Sequence, residues 1–180
     1  MATDTHIREL INRLARLDAA AGWAGDLNPS QRAVLGYLCR ANRFSRSPSH
    51  VADYLGTTRG TTTQSLKSLL QKGYVKEHRS EHDRRVISYE LTQAGRIAAE
   101  RPAPLQSAVS ALGRDDQNAL QSLLRNALQN ALAENEGREF GLCKTCIHHR
   151  NVEGVPFCAL LDVTLSPDEG NQICHEQESV

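Results

Sequence analysis

The most constraining feature of this chain is a change of hydrophobic period in its first half. From about residue 28 to residue 72 the apolar residues recur every three or four positions; they then alternate every second one. Asn28-Pro29 supplies a cap and a first-turn proline ahead of Ala33, Val34, Leu35, Tyr37 and Leu38, so a helix is expected to run to about Asn42. Ser47-Pro48 starts a short helix with Val51, Ala52, Tyr54 and Leu55 inward and Gly56 as its stop. A third helix is expected from about Arg59 to Lys72, with Leu66, Leu69 and Leu70 on one face and Gly73 ending it. Beyond Gly73 two short runs rich in β-formers, residues 74–79 and 86–91, flank the polar stretch Ser80-Glu81-His82-Asp83-Arg84-Arg85 and read as a hairpin with a charged tip.

Short helices followed by a hairpin make a winged helix–turn–helix, and the rest of the chain is arranged around it. Ile7, Leu10, Ile11, Leu14 and Leu17 recur at helical spacing from about Asp4 to the Gly22 region. After Thr92 a helix resumes, is interrupted near Pro102 and Pro104, and gives way to another from about Asp115 to Glu134 striped with Leu120, Leu123, Leu124, Ala127, Leu128, Ala131 and Leu132. Two such stripes are long for a domain this small and are expected to form a dimerisation bundle about a two-fold axis. The alternative is packing within one chain. The fold class expected is mainly α (α+β): residues 1–28 a dimerisation helix, 29–95 the winged helix–turn–helix, 96–137 further dimerisation helices, and 138–180 a small cysteine-rich module.

The formal net charge of zero conceals an asymmetry. Between Arg40 and Glu90 ten Lys or Arg face five Asp or Glu; from Glu134 onward three bases face nine acids. The first segment suits phosphates and the second repels them. Asp4, Arg8 and Glu9 interrupt the place where a signal peptide's apolar core would lie, and no apolar run is long enough to span a bilayer, so a cytoplasmic protein without membrane contact is expected.

The sequence from Asp83 to Gly95, Asp-Arg-Arg-Val-Ile-Ser-Tyr-Glu-Leu-Thr-Gln-Ala-Gly, resembles the wing and exit of the MarR family of bacterial regulators, D-x-R, five residues, then L-T-x-x-G. Leu70-Gln71-Lys72-Gly73-Tyr74-Val75 resembles the family's junction into the wing, and the likeness extends over roughly residues 5–135. It implies a homodimer that binds a pseudo-palindromic double-stranded operator, with Asp83 orienting an arginine and Arg85 at the groove-inserting position. The residues support this independently. With about 100° per residue and Leu66 at the centre of the buried face, Thr61, Gln64 and Ser68 point nearly opposite, flanked by Gly60 and Lys67. Gln64 can pair bidentately with adenine and Thr61 can meet a thymine methyl. Arg59 and Lys67 suit phosphates, and Arg84 and Arg85 can reach an adjacent minor groove. Both arginines could instead be a solvated hairpin tip.

Cys143, Cys146, Cys158 and Cys174 give C-x2-C-x11-C-x15-C beyond the family's core. In a reducing compartment clustered cysteines point to a metal rather than disulfides. The wide split of the second pair favours an iron–sulfur cluster over zinc, and the spacing is similar to that of some cluster-bearing uracil-DNA glycosylases. Nuclearity is not legible. His148, His149 and His175 could substitute as ligands or be surface histidines, and Lys144 and Arg150 could offset thiolate charge or be solvated. Cys39 reads as a buried small hydrophobe. Ala159, Leu160 and Leu161 are expected to dock the module onto the helical bundle.

The sequence therefore predicts a regulator, a repressor, whose operator affinity follows the redox or iron state of the cysteine site. One alternative is a structural zinc with a small aromatic signal ligand bound between the bundle and the winged helix. The other, from a different class, is a cluster enzyme or electron carrier using the winged helix for docking. No glycine-rich phosphate loop, nucleophile elbow or recognisable carboxylate pair is present, so the chain is not expected to be an enzyme.

Overall fold

The computed structural model describes residues 3–23, 25–79, 86–135, 137 and 139–178. Seven α-helices lie among them: α1 (Thr3–Ala20), α2 (Pro29–Arg40), α3 (Pro48–Leu55), α4 (Arg59–Gln71), α5 (Gln93–Ala99), α6 (Pro104–Ser110) and α7 (Arg114–Glu134). The strands β1 (Val75–Arg79) and β2 (Ile87–Leu91) pair antiparallel with Val75 opposite Leu91 and Arg79 opposite Ile87. The expected winged helix–turn–helix is thus present.

The helix boundaries follow their caps. The Asn28 side chain accepts from the Gln31 amide in a reciprocal capping box that starts α2. Ser47 accepts from the His50 amide at the start of α3, and Gly56 closes that helix at φ 60°, a left-handed conformation suited to glycine. Thr58 caps α4 through the Thr61 amide.

One apolar core joins these pieces: Val34, Leu35, Tyr37 and Leu38 of α2, Val51 of α3, Leu66 and Leu69 of α4, and Val75 and Tyr89 of the wing. The Thr92-x-x-Gly95 exit has a direct physical cause. Thr92 caps α5 through the Gly95 amide, and its hydroxyl also donates to the Gly73 and Tyr74 carbonyls. A Cβ on residue 95 would lie 2.0 Å from the Tyr74 carbonyl oxygen, so only glycine lets α5 approach the strand junction.

None of the residues of α1, α6 or α7 is buried. The α1 stripe stays open to solvent, with Ile7 51% and Leu17 55% exposed, as does that of α7, with Leu123 68% and Leu128 59% exposed.

Residues 139–178 fold into short strands: β3 (Gly141–Leu142) pairs with β7 (Ile173–Cys174), and β4 (His149–Val152), β5 (Val155–Cys158) and β6 (Val163–Thr164) form a three-stranded antiparallel sheet. The seat of this module corrects the sequence expectation. Leu160 and Leu161 remain 45% and 37% exposed, because residues 159–162 form the turn between β5 and β6. Docking runs instead through Ile173, which joins the winged-helix core, with Phe140 packed edge-on against Tyr37 and Tyr54. Among the described residues no helix is long and apolar enough to cross a membrane.

Candidate nucleic-acid interface and cysteine cluster

Helix α4 buries Thr62, Leu66 and Leu69 against the core, which turns its other side outward. Arg59, Gly60, Thr63, Gln64, Lys67, Ser68 and Gln71 line one open trough along that side. Five of the expected site residues, Arg59, Gly60, Gln64, Lys67 and Ser68, therefore share a surface. Thr61 is exposed but sits round the helix: its hydroxyl is 2.9 Å from that of Thr58, and it borders a different hollow, toward α2. Ser68 is half-buried and accepts from Gln31 Nε2 at 3.0 Å, so one side of it is tied to α2. Thr63 and Gln71 were not singled out from the sequence. Thr63 lies only one residue from Thr62, and the helical wheel centred on Leu66 places it off the outward axis. The helix N-terminus carries the positive end of the helix dipole, which together with Arg59 suits a phosphate.

The wing is anchored to the same unit. The Tyr89 amide donates to the Arg46 carbonyl, and the Tyr89 hydroxyl donates to Glu77 Oε2 at 3.0 Å. That bond, with the Arg79 guanidinium beside it, holds the Glu77 carboxyl below its ordinary range although burial opposes the shift. Burial and Glu77 together push the Tyr89 phenol up to about 12. The expected wing-tip residues Asp83, Arg84 and Arg85 lie outside the described residues.

The basic segment is less uniformly outward than its count suggests. Arg43 donates to Glu169 Oε2 at 2.6 Å, and Arg46 donates to the Ala41 carbonyl with Glu90 at 3.9 Å. Burial draws the Arg46 pKa down.

Local chain geometry gathers the four cysteines of the module. A 3₁₀ turn at Cys143–Thr145 lets the Cys146 amide donate to the Cys143 carbonyl, which brings the two residues close along the chain. Pairing of β3 with β7 sets Cys174 opposite Gly141, two residues from Cys143, and Cys158 is opposite His149 in β4–β5. Cys143, Leu165 and Cys174 form a small buried core with Phe44, Cys158 and Val163 packed on it. All five cysteines of the chain are free thiols. The Cys143 thiol is pushed up to about 11, first by burial and then by Cys174, Cys158 and Cys146 nearby. Among the described residues no three His, Cys, Asp or Glu side chains are already closed into a metal-binding set.

The candidate histidines part company. His149 Nδ1 lies 3.6 Å from Cys143 Sγ. His148 faces Glu178 at 3.5 Å, while His175 stacks on His50 and lies 2.8 Å from Glu176. Lys144 donates to Asn171, and Arg150 to the Ile147 and His149 carbonyls, so neither is merely solvated. Cys39 is half-buried rather than buried and borders a cavity of about 900 Å³ between α1, α2, α5 and α6, with Arg32, Arg40 and Arg101 on its walls.

The fold, with α4 turned outward, is that of a winged-helix protein. The MarR family model matches residues 25–86. Among solved structures the chain is similar to S. aureus MepR in a DNA complex, at 19% identity and a TM-score of 0.56, over 72% of this chain and 98% of that one. It is also similar to Streptococcus pneumoniae FabT in complex with DNA (23% identity, TM-score 0.54, 71% and 94% covered) and to MarR from E. coli in its apo form (23%, 0.54, 71% and 98%). No curated protein matches the chain. The cysteines from 143 onward lie past the end of the family match.

Proposed function

We propose that this chain is a MarR-family transcription regulator, a repressor, that binds a pseudo-palindromic operator as a homodimer, with α4 in the major groove and the wing at the adjacent minor groove. The observation that carries this reading is the trough of Arg59, Gln64 and Lys67 on a helix held from behind by Leu66 and Leu69. The uncovered stripes of α1 and α7 support the homodimer, since a single chain leaves their leucines in water. MepR and FabT, similar in fold, were each solved with DNA.

Cys143, Cys146, Cys158 and Cys174 would hold an iron–sulfur cluster, with zinc as the alternative. The donor types suit it: Cys143, Cys158 and Cys174 share a small core whose one buried aliphatic side chain is Leu165, Cys146 follows Cys143 by one 3₁₀ turn, and binding would have to close the four thiols into a set. When bound, a cluster supplies a group whose oxidation or loss reports redox or iron state, and operator affinity would follow it. The chain's own part is to bring the thiols together and to exclude water from Cys143 and Cys174.

The cavity beside Cys39 favours a second reading, in which the cysteine site is structural and a small aromatic acid, held by Arg32, Arg40 or Arg101, is the signal. The test is a titration of duplex fragments with protein purified without oxygen, alongside elemental analysis and absorption spectra. Salt-sensitive, sequence-selective binding with thiolate-to-iron absorption is expected. Absence of any duplex preference removes the regulator reading; one zinc per chain, with release by an aromatic acid, selects the second.

A further inference from the structure

The cysteine module sits on the turn that joins α2 to α3, residues 41–46, just ahead of the helix–turn–helix made by α3 and α4, and it holds much of that turn. The Asn42 amide donates to the Ile173 carbonyl at 2.9 Å, where Ala41 and Ile173 form an isolated parallel bridge. One residue past Cys174, the His175 amide donates to Ser45 Oγ at 2.9 Å, and that hydroxyl donates on to Asn42 Oδ1 at 2.7 Å. Arg43 reaches Glu169 and the Thr164 carbonyl, and Phe44 packs into the cysteine core. The His175 ring stacks on His50 of α3 with centroids 3.4 Å apart.

The other side of the same turn carries the DNA-reading parts. Tyr37 donates to the Ser45 carbonyl at 2.6 Å, and the β2 amide of Tyr89 donates to the Arg46 carbonyl at 3.0 Å. Helix α3, which starts at Pro48, packs directly on α4. Residues 41–46 thus touch the thiols on one side and the wing and α3 on the other. Ser45 and Asn42 are fully buried, so the contact is a packed joint rather than a surface tether.

We propose that residues 41–46 are the transmission element of this protein: residues 173–175 clamp the turn only while the four thiolates share a bound metal centre, and release of that centre frees the turn and unsettles the wing and α4. This rests on the reading of the cysteines as a metal site. The physical basis is that a bound centre ties Cys174 to Cys143, Cys146 and Cys158, whereas the module's own core, with Leu165 its one buried aliphatic side chain, leaves only Ile173 and the hydrogen bonds to the turn as a hold on residues 173–175. A ligand biases a two-state element only through contacts that differ between the states, and the bonds to Asn42 and Ser45 are such contacts.

The test uses the full-length protein as purified without oxygen and after removal of metal by a chelator, with a duplex selected from a random pool as probe. Metal content is measured first. In wild type, chelation is expected to lower hydrogen-exchange protection of residues 42–45 and 87–91 at least tenfold, to leave the amides around Leu66 protected, and to change duplex affinity at least tenfold. Ser45→Ala and, as a milder variant at the rim, Arg43→Ala should keep the wild-type metal content while the affinities of loaded and stripped forms draw within about threefold of each other. Wild type that loses metal with unchanged protection at 42–45 overturns the clamp while leaving the metal site standing, as do both variants if they keep the full metal dependence. Wild type that holds no metal, or ignores duplex DNA, removes the underlying reading and the clamp with it.

Discussion

Replacing Ile173 with alanine separates two ways in which the cysteine module could be held. Ile173 is 9% exposed and packs into the winged-helix core, although it belongs to β7 and neighbours Cys174. Three carbons leave a nearly closed site. At roughly 0.8 kcal/mol per buried methylene the transfer term is about 2.4 kcal/mol. A residual cavity adds to it, giving about 3 kcal/mol in all. Leu160 and Leu161, which the sequence offers as the docking patch, are already more than a third exposed, so alanine at either should cost about 1 kcal/mol or less. Urea denaturation followed by circular dichroism measures all three, at one protein concentration and one metal content, because bound metal and partner chains shift apparent stability. If Leu160→Ala or Leu161→Ala costs as much as Ile173→Ala, the module is seated through its β5–β6 turn and the route from β7 to the helix–turn–helix is wrong.

Lys67→Ala should weaken duplex binding for all sequences and lower the slope of log affinity against log salt by about one, whereas Gln64→Ala should cost about 1–3 kcal/mol and relax preference at a single base pair. Competition titrations at several salt concentrations distinguish these, and identical behaviour of the two variants would contradict the trough as a reading surface. Gly95→Ala should destabilise by about 3 kcal/mol or more, because its Cβ meets backbone at 2.0 Å and α5 must move; a denaturation midpoint near wild type would show that α5 does not pack this closely. Tyr89→Phe removes a hydrogen bond to a partly exposed carboxylate and should cost about 1 kcal/mol at neutral pH. Because Glu77 is held below its ordinary pKa in the fold, this contribution is full above the ordinary carboxylate range and is lost as pH falls through the lowered value. The difference between Tyr89→Phe and wild type should therefore shrink in acid, and a gap that grows there refutes the assignment.

The winged helix was legible because its signals are local. Caps at Asn28 and Ser47, stops at Gly56 and Gly73, and the switch from a period near four to a period of two each act within a few residues. Most of the outward face of α4 followed from the position of Leu66, though Thr61 borders another hollow and Thr63 and Gln71 join the trough. What sequence could not supply was anything set by contacts across long separations. Ile173 closes a core built from residues 27–91, and Glu169 neutralises Arg43 across 126 positions. Ala159, Leu160 and Leu161 looked like a docking patch since apolarity was the only cue, while the turn that exposes them depends on how β5 returns to β6. Ser68 has the same ambiguity: the wheel turns it outward, and only the fold brings Gln31 within 3.0 Å.

The distribution of charge gains a different meaning once these contacts are known. Counted along the chain, Arg40 to Glu90 is a basic segment for DNA and the acidic tail is merely kept off it. In the fold the tail places Glu169, 4% exposed, on Arg43, and Glu90 lies beside Arg46, so these two arginines hold the turn together instead of facing phosphates. One of the module's acids then has a structural use: Glu169 ties the cysteine segment to Arg43 in the turn between α2 and α3. Arg59 and Lys67, on the outward side of α4, remain in the trough that a duplex would enter. A long-range attraction of this kind does not fix geometry, because a charge pair tolerates many arrangements. Geometry comes from the buried hydrogen bonds of Asn42 and Ser45 and from Ile173 in the core, and this division explains why removing the Arg43 charge should loosen the coupling while removing Ile173 should undo the docking.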